Sequence, residues 1–162
     1  MHLPYKSLFR KVINIMAQET QSFVIKYQDF VDEITSKCTV YHATTGVFNA
    51  AEPVSFGEFK ALWDTGATNS MITSDVIKTL NLKIVTYATV YHAGGQSQVP
   101  GFNVYIGLPN DILIGPLQVI EGQLEGVDVL IGMDIIGSGD FIVTNNDGHT
   151  EFSYTIPSVM KI

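Results

Sequence analysis

Asp64 ends the apolar run Ala61-Leu62-Trp63 and is followed at once by Thr65 and Gly66. Burying an unpaired carboxylate is among the costliest steps in folding, so a strand that delivers one must also deliver something to hold it. The next residues can do so. Thr65 offers a hydroxyl, and Gly66 a backbone N–H that no side chain obstructs. Thr68, Asn69 and Ser70 can satisfy the exposed backbone of the turn with their own polar groups. A carboxylate held in this way can act as a general acid or base, taking a proton from water or returning one to a leaving group.

Competing chemistries find less support. His2, His42, His92 and His149 are scattered without ligand spacing, and the single cysteine, Cys38, makes a zinc site improbable. No serine stands in a strand-to-helix elbow. Gly94-Gly95 lacks the following helix and lysine of a phosphate-binding loop. No metal and no cofactor is expected. Trp63 reads as a core residue rather than a ligand contact.

Composition narrows the partners. With 162 residues, 46% of them hydrophobic, the chain suits one globular domain. A formal charge of −7 argues against nucleic acid, which demands a basic surface. No apolar run is long enough to span a bilayer, so a membrane partner is not expected. One cysteine excludes an intrachain disulfide and fits a reducing compartment, and a cytoplasmic location is the expectation. The charge is unevenly spread. Residues 1–83 carry eight Lys/Arg and eight Asp/Glu, whereas residues 84–160 carry no Lys or Arg against eight acids.

The elements that must position Asp64 are mostly strands. Leu3–Met16 places apolar residues at helical spacing between Lys6, Arg10 and Lys11. That segment could lie on a membrane or dock on the domain, or Met16 could be the true start; its interrupted apolar core makes a poor signal peptide. Gln21–Ile34 is ambiguous between strand and helix, with Ser22–Tyr27 favoured as strand. From Cys38 the β pattern is clear: Cys38–Ala43 and Glu58–Trp63 are strands divided by turn residues. Ser74 reads as the N-cap of a short helix, Asp75–Leu80, closed near Asn81. Lys83–Tyr91 and Val99–Leu108 form a hairpin around Gly94-Gly95, an ordinary turn by sequence alone. Ile112–Ile120 and Val127–Ile131 follow, and Asn145-Asn-Asp-Gly148 joins Phe141–Thr144 to His149–Tyr154 as a last hairpin. Thr39-Val-Tyr-His-Ala43 recurs as Thr89-Val-Tyr-His-Ala93, a repeat too short to indicate duplication.

Asp64-Thr65-Gly66-Ala67 after an apolar run resembles the active-site loop of aspartic proteases, and Ala67 that of the retroviral, or retropepsin, branch. Val127-Asp-Val-Leu-Ile-Gly-Met-Asp134 resembles the apolar-apolar-Gly-Arg-Asp/Asn segment that backs this loop. Met133 departs from the pattern where those enzymes carry arginine, so any ion pair that arginine makes is missing. The tail Phe141–Pro157 further resembles bacterial retropepsin-like proteins. The resemblance covers residues 37–158, leaving 1–36 as an N-terminal extension and 159–162 as a tail.

The resemblance implies an all-β retropepsin-like acid-protease fold: a closed or partly open β-barrel, one or two short helices, and a mobile flap made by the hairpin around Gly94-Gly95. It implies an aspartic endopeptidase active as a homodimer. Such enzymes need two carboxyls in contact, and this chain has one Asp-Thr-Gly; Asp134 and Asp147 stand in other settings. The second must be Asp64 of another copy. Asp64, Thr65 and Gly66 are then catalytic. Ala67, Thr68, Asn69, Tyr91, His92, Gly94, Gly95 and Ile131 would meet an extended peptide substrate. Ala67 replaces the serine of pepsins and so removes a donor that favours the charged carboxylate, which implies an optimum nearer neutrality. A rate maximum only at strongly acid pH would contradict this. The acidic second half would supply flap and cleft wall; it is read first as a solubilising surface, and second as a filter against acidic peptides that a profile rich in acidic cleavage sites would disprove. Two other readings stay open: a non-catalytic dimerisation or peptide-binding module on the same fold, and a subunit that completes its site with a different partner.

Overall fold

Inward and outward residues alternate along β2 (Thr35–His42), where Ser36, Cys38 and Val40 are buried. A half-buried strand needs this period of two, and the same alternation recurs in β10 (His149–Ile156), which buries Thr150, Phe152 and Tyr154. The protein is seen in a computed structural model that describes residues 19–43, 55–92 and 94–161. The helix expected over Leu3–Met16 lies outside the described residues, as does Ala93 of the short repeat.

Six strands close into a barrel in the order β2, β3 (Phe56–Trp63), β8 (Val129–Ile131), β4 (Met71–Ile72), β7 (Ile112–Glu121) and β6 (Gly95–Leu108). Antiparallel pairing of β2 with β6, from Thr39↔Gly107 to His42↔Val104, closes the ring. Val40, Ala61, Ile72, Val104, Ile106, Val119, Val129 and Ile131 fill its interior. Only the second half of β6 belongs to the barrel. Its first half runs out with β5 (Thr86–His92) as a two-stranded hairpin, in register from Thr86↔Gly101 to His92↔Gly95. Two short helices, α1 (Ser74–Thr79) and α2 (Met133–Ile136), sit between strands.

A second sheet, in the order β1 (Gln21–Lys26), β10, β9 (Asp140–Asn146), packs against the strand that delivers Asp64. Trp63 is the joint. Its ring centroid lies 6.0 Å from Phe23, 4.9 Å from Phe152 and 5.0 Å from Tyr154. These tilted and edge-on contacts suit aromatic rings, and the indole Nε1–H donates to the buried Ser36 Oγ at 2.9 Å. Tyr154 in turn donates its hydroxyl to the Ile135 carbonyl of α2 at 2.6 Å. The residue before Asp64 is thus fixed from both sheets.

The elements differ from the sequence expectation at several boundaries. The expected boundary at 36/37 falls inside β2, and β1 pairs with β10 along its whole length while burying Phe23. Residues 21–26 are built into the domain by a partner strand over 100 positions away, which local periodicity cannot signal, and residues 35–36 open β2 beside β3. The helix after Ile72 starts one residue early: Thr73, not Ser74, is the N-cap, since the Ile77 N–H closes the first turn on the Thr73 carbonyl at 3.2 Å. The strand expected from Lys83 starts at Thr86.

Candidate active site

Asp64 sits where β3 leaves the barrel. Parallel pairing sets Trp63 beside Ile131, and the Asp64 N–H donates to the Ile131 carbonyl at 2.9 Å. The strand is therefore held up to its last residue. The chain then turns, and the Ala67 N–H returns to the Asp64 carbonyl at 3.2 Å. Inside this turn the Gly66 N–H donates to the Asp64 Oδ1 at 2.8 Å. A hydrogen bond to an ionised acceptor is among the stronger kinds, and it aims the carboxylate along the loop. The side chain is half-buried, with Thr65, Gly66, Thr68 and Asn69 exposed around it. Among the described residues no Lys, Arg or His forms an ion pair with it.

The loop is locked from behind. The Met133 N–H donates to the Ala67 carbonyl at 2.8 Å, and the Asp134 N–H to the Thr68 carbonyl at 3.1 Å. Ser70 is fully buried; its hydroxyl donates to Asp134 Oδ1 at 2.7 Å and accepts the Gly132 N–H at 3.0 Å. Its own N–H donates to Asp134 Oδ2 at 2.9 Å. Gly132 is where the two segments touch. A Cβ there would stand 2.8 Å from the Asn69 carbonyl carbon and 2.9 Å from the Ala67 oxygen, both backbone atoms that cannot swing aside.

Asp64, Thr65, Gly66, Ala67, Thr68 and Asn69 are thus brought together in one turn, as the sequence suggested. Ile131 is placed otherwise than expected. Its side chain is completely buried, so it does not face a substrate; it serves Asp64 through its backbone carbonyl. Tyr91, His92, Gly94 and Gly95 form the free end of the β5–β6 hairpin, where Tyr91 is 79% exposed. Met133, where the resembled pattern has arginine, is exposed and contributes only its N–H to the loop.

Ser70 and Asp134 are the residues that sequence reasoning missed as a pair. The signal for Asp134 was present, an acid in the first turn of a helix directly after a glycine. Nothing local says that its carboxylate is spent on a serine in another turn. Depressions beside Ile25, Lys37 and Glu58, and beside Ile112–Gly115, lie elsewhere, and Asp64 lines none of them.

Among solved structures, the chain is similar to a retropepsin-like aspartic protease from Rickettsia conorii, at 15% identity and a TM-score of 0.52, over 85% of this chain and 96% of that one. It also matches the EIAV protease complexed with the inhibitor HBY-793, at 16% identity and a TM-score of 0.48, over 70% of this chain and 92% of that one. The retroviral protease-like domain of Ddi1 from Leishmania major matches at 17% identity and a TM-score of 0.44, over 75% of this chain and 94% of that one. No protein-family model matches the sequence, and no curated protein does. The fold is retropepsin-like.

Proposed function

We propose that this chain is an aspartic endopeptidase that works as a homodimer, with Asp64 of one copy facing Asp64 of the other. One observation carries the reading: a carboxylate at the tip of a rigid loop, held by the Gly66 N–H at 2.8 Å and left without a cationic partner among the described residues. A purely structural carboxylate would be paired or hydrogen-bonded into the body of the protein. Asp134 is that kind of group. Asp64 is the opposite case, ordered but unspent.

Two carboxyls brought together across a twofold axis cannot both stay ionised, so they share a proton. The ionised one takes a proton from water as the water oxygen bonds to the peptide carbonyl carbon. The protonated one gives its proton to the carbonyl oxygen. As the resulting diol collapses, the carboxyl that took the water's proton passes it to the nitrogen, the other carboxylate takes back a hydroxyl proton, and the C–N bond breaks to release the amine. Thr65 is exposed, as a residue that bonds to a second copy's loop must be. An extended peptide would lie along the loop, its main chain bonded there and on the β5–β6 hairpin.

The test is Asp64→Asn. The expected outcome is loss of peptide cleavage by about 10²–10⁴-fold, with an unchanged dimer and unchanged thermal stability. A variant that still cleaves disproves the assignment. A wild type that binds peptides without cutting them, with affinity unaffected by the substitution, supports a binding module instead.

A further inference from the structure

The barrel and the second sheet meet along a seam that is apolar where β1 begins. Gln21 pairs there with Ile156 of β10, and the Asn110 side-chain amide donates to the Ser22 carbonyl at 2.7 Å, pinning the β6–β7 turn against the strand. Ile112, Leu113, Ile114, Ile156 and Pro157 line a depression of about 250 Å³ in this seam, with Glu19 and Gln21 beside them. Glu19 is the one charged residue among those that line it. Apolar residues gathered in a surface groove mark a place where something binds.

The same chain supplies an occupant that fits. Glu19 is the first described residue before β1, and residues 1–18 precede it. Tyr5, Leu8, Phe9, Val12, Ile13 and Met16 recur at three- and four-residue spacing, which gathers them on one face of a helix. Met16 is three Cα steps from Glu19, a reach of about 11 Å at most, so that face cannot be carried far from the groove. So short a tether gives an effective concentration of roughly millimolar, and modest contacts then suffice to hold the segment. Charge agrees with the apolar match. Residues 1–18 carry Lys6, Arg10 and Lys11 and no acid. Glu19 borders the groove, Asp111 follows Asn110 in the pinned turn, and residues 84–160 hold no Lys or Arg.

We propose that residues 3–16 form an amphipathic helix that lays its apolar face into this groove of the same chain. Asp64 lines no part of the groove, so the docking is independent of peptide cleavage. Calorimetry on the full chain compares Leu8→Ser/Val12→Ser, on the apolar face, with Asn14→Ser on the opposite one, with circular dichroism confirming the fold. The double variant is expected to lower Tm by about 4 °C or more, and Asn14→Ser by less than about 1 °C. A double variant within about 1 °C of wild type overturns the docking. Photo-crosslinking from Phe9→p-benzoylphenylalanine locates the contact independently of stability. A link to residues 112–114 or 156–157 of the same chain is expected; a link elsewhere, or to a second copy, overturns the proposal. Co-sedimentation with phosphatidylglycerol vesicles tests the other occupant of such a helix. Wild-type binding that the double variant loses makes the segment a membrane anchor and overturns the proposal as well.

Discussion

Two turns leave the barrel, and the chain treats them in opposite ways. The Asp64 loop is tied to α2 and β8 by backbone bonds from both directions and by the Ser70–Asp134–Gly132 network. The β5–β6 hairpin extends from the barrel with residues 94–98 exposed, braced by its own ladder and by Gln98 donating to Thr89 at 2.7 Å. A loop that must aim a carboxylate needs its geometry fixed before anything binds. An arm that admits and then covers an extended peptide needs low local stability. The same barrel carries both turns and, among the described residues, spends buried polar groups on the first and almost none on the second.

One substitution made twice would expose the contrast. Gly132→Ala drives a methyl into the backbone of the Asp64 loop, where overpacking costs about 1–3 kcal/mol or more and displaces the carboxylate. It should lower Tm by several degrees and abolish measurable cleavage. Gly95→Ala meets no atom within 4 Å, but its φ of +125° is a conformation that alanine resists. The expected cost is about 1 kcal/mol, confined to the hairpin, with a change in KM and little change in Tm. Equal Tm losses in the two variants would remove the distinction between locked loop and loose arm.

Asp134→Ala comes next in size. It leaves the Ser70 hydroxyl and N–H without their acceptor, and hydrogen bonds to charged groups contribute about 1.5–3 kcal/mol each way they are measured. Thermal denaturation should show the loss, and cleavage should fall through kcat rather than KM, because the loop loosens while the substrate contacts remain. An unchanged kcat would mean that the network holds the fold without aiming Asp64.

The smallest effect lies far from both turns. On β10, His149 is held protonated above its ordinary value of 6.5, chiefly by its bond to Glu151, and Glu151 is held below its ordinary range, chiefly by Lys26. The His149 contribution is present below about pH 6.5 and is lost as pH rises through its raised value. The Glu151 contribution is present above its ordinary value and is lost as pH falls through its lowered one. Exposed pairs are screened by solvent, so the change is slight. Tm of wild type should fall slightly more than that of Glu151→Gln as pH rises above 6.5, and parallel pH profiles would contradict this.

Much of this was legible in the chain itself. Asp64-Thr65-Gly66 after an apolar strand, the alternation in β2 and β10, and the turn at Asp147-Gly148 are local signals, and the last is confirmed by positive φ at both residues. What stayed hidden depends on partners distant in sequence. The pattern of residues 21–34 favoured a strand over Ser22–Tyr27 but could not name its partner, β10. The resemblance made Ile131 a substrate contact, but β8 is a central strand that buries all three of its side chains. Asp134 and Asp140 both read as members of an acidic surface. One is spent on a buried serine and the other on the backbone of a passing tail.

The proposed chemistry needs one functional site shared by two chains. Titrating the protein with a hydroxyethylene-type transition-state analogue, and counting bound molecules by calorimetry and native mass spectrometry, tests it directly. The expected stoichiometry is one analogue per two chains, absent in Asp64→Asn. One analogue per single chain, or a two-chain species that binds none, would contradict it.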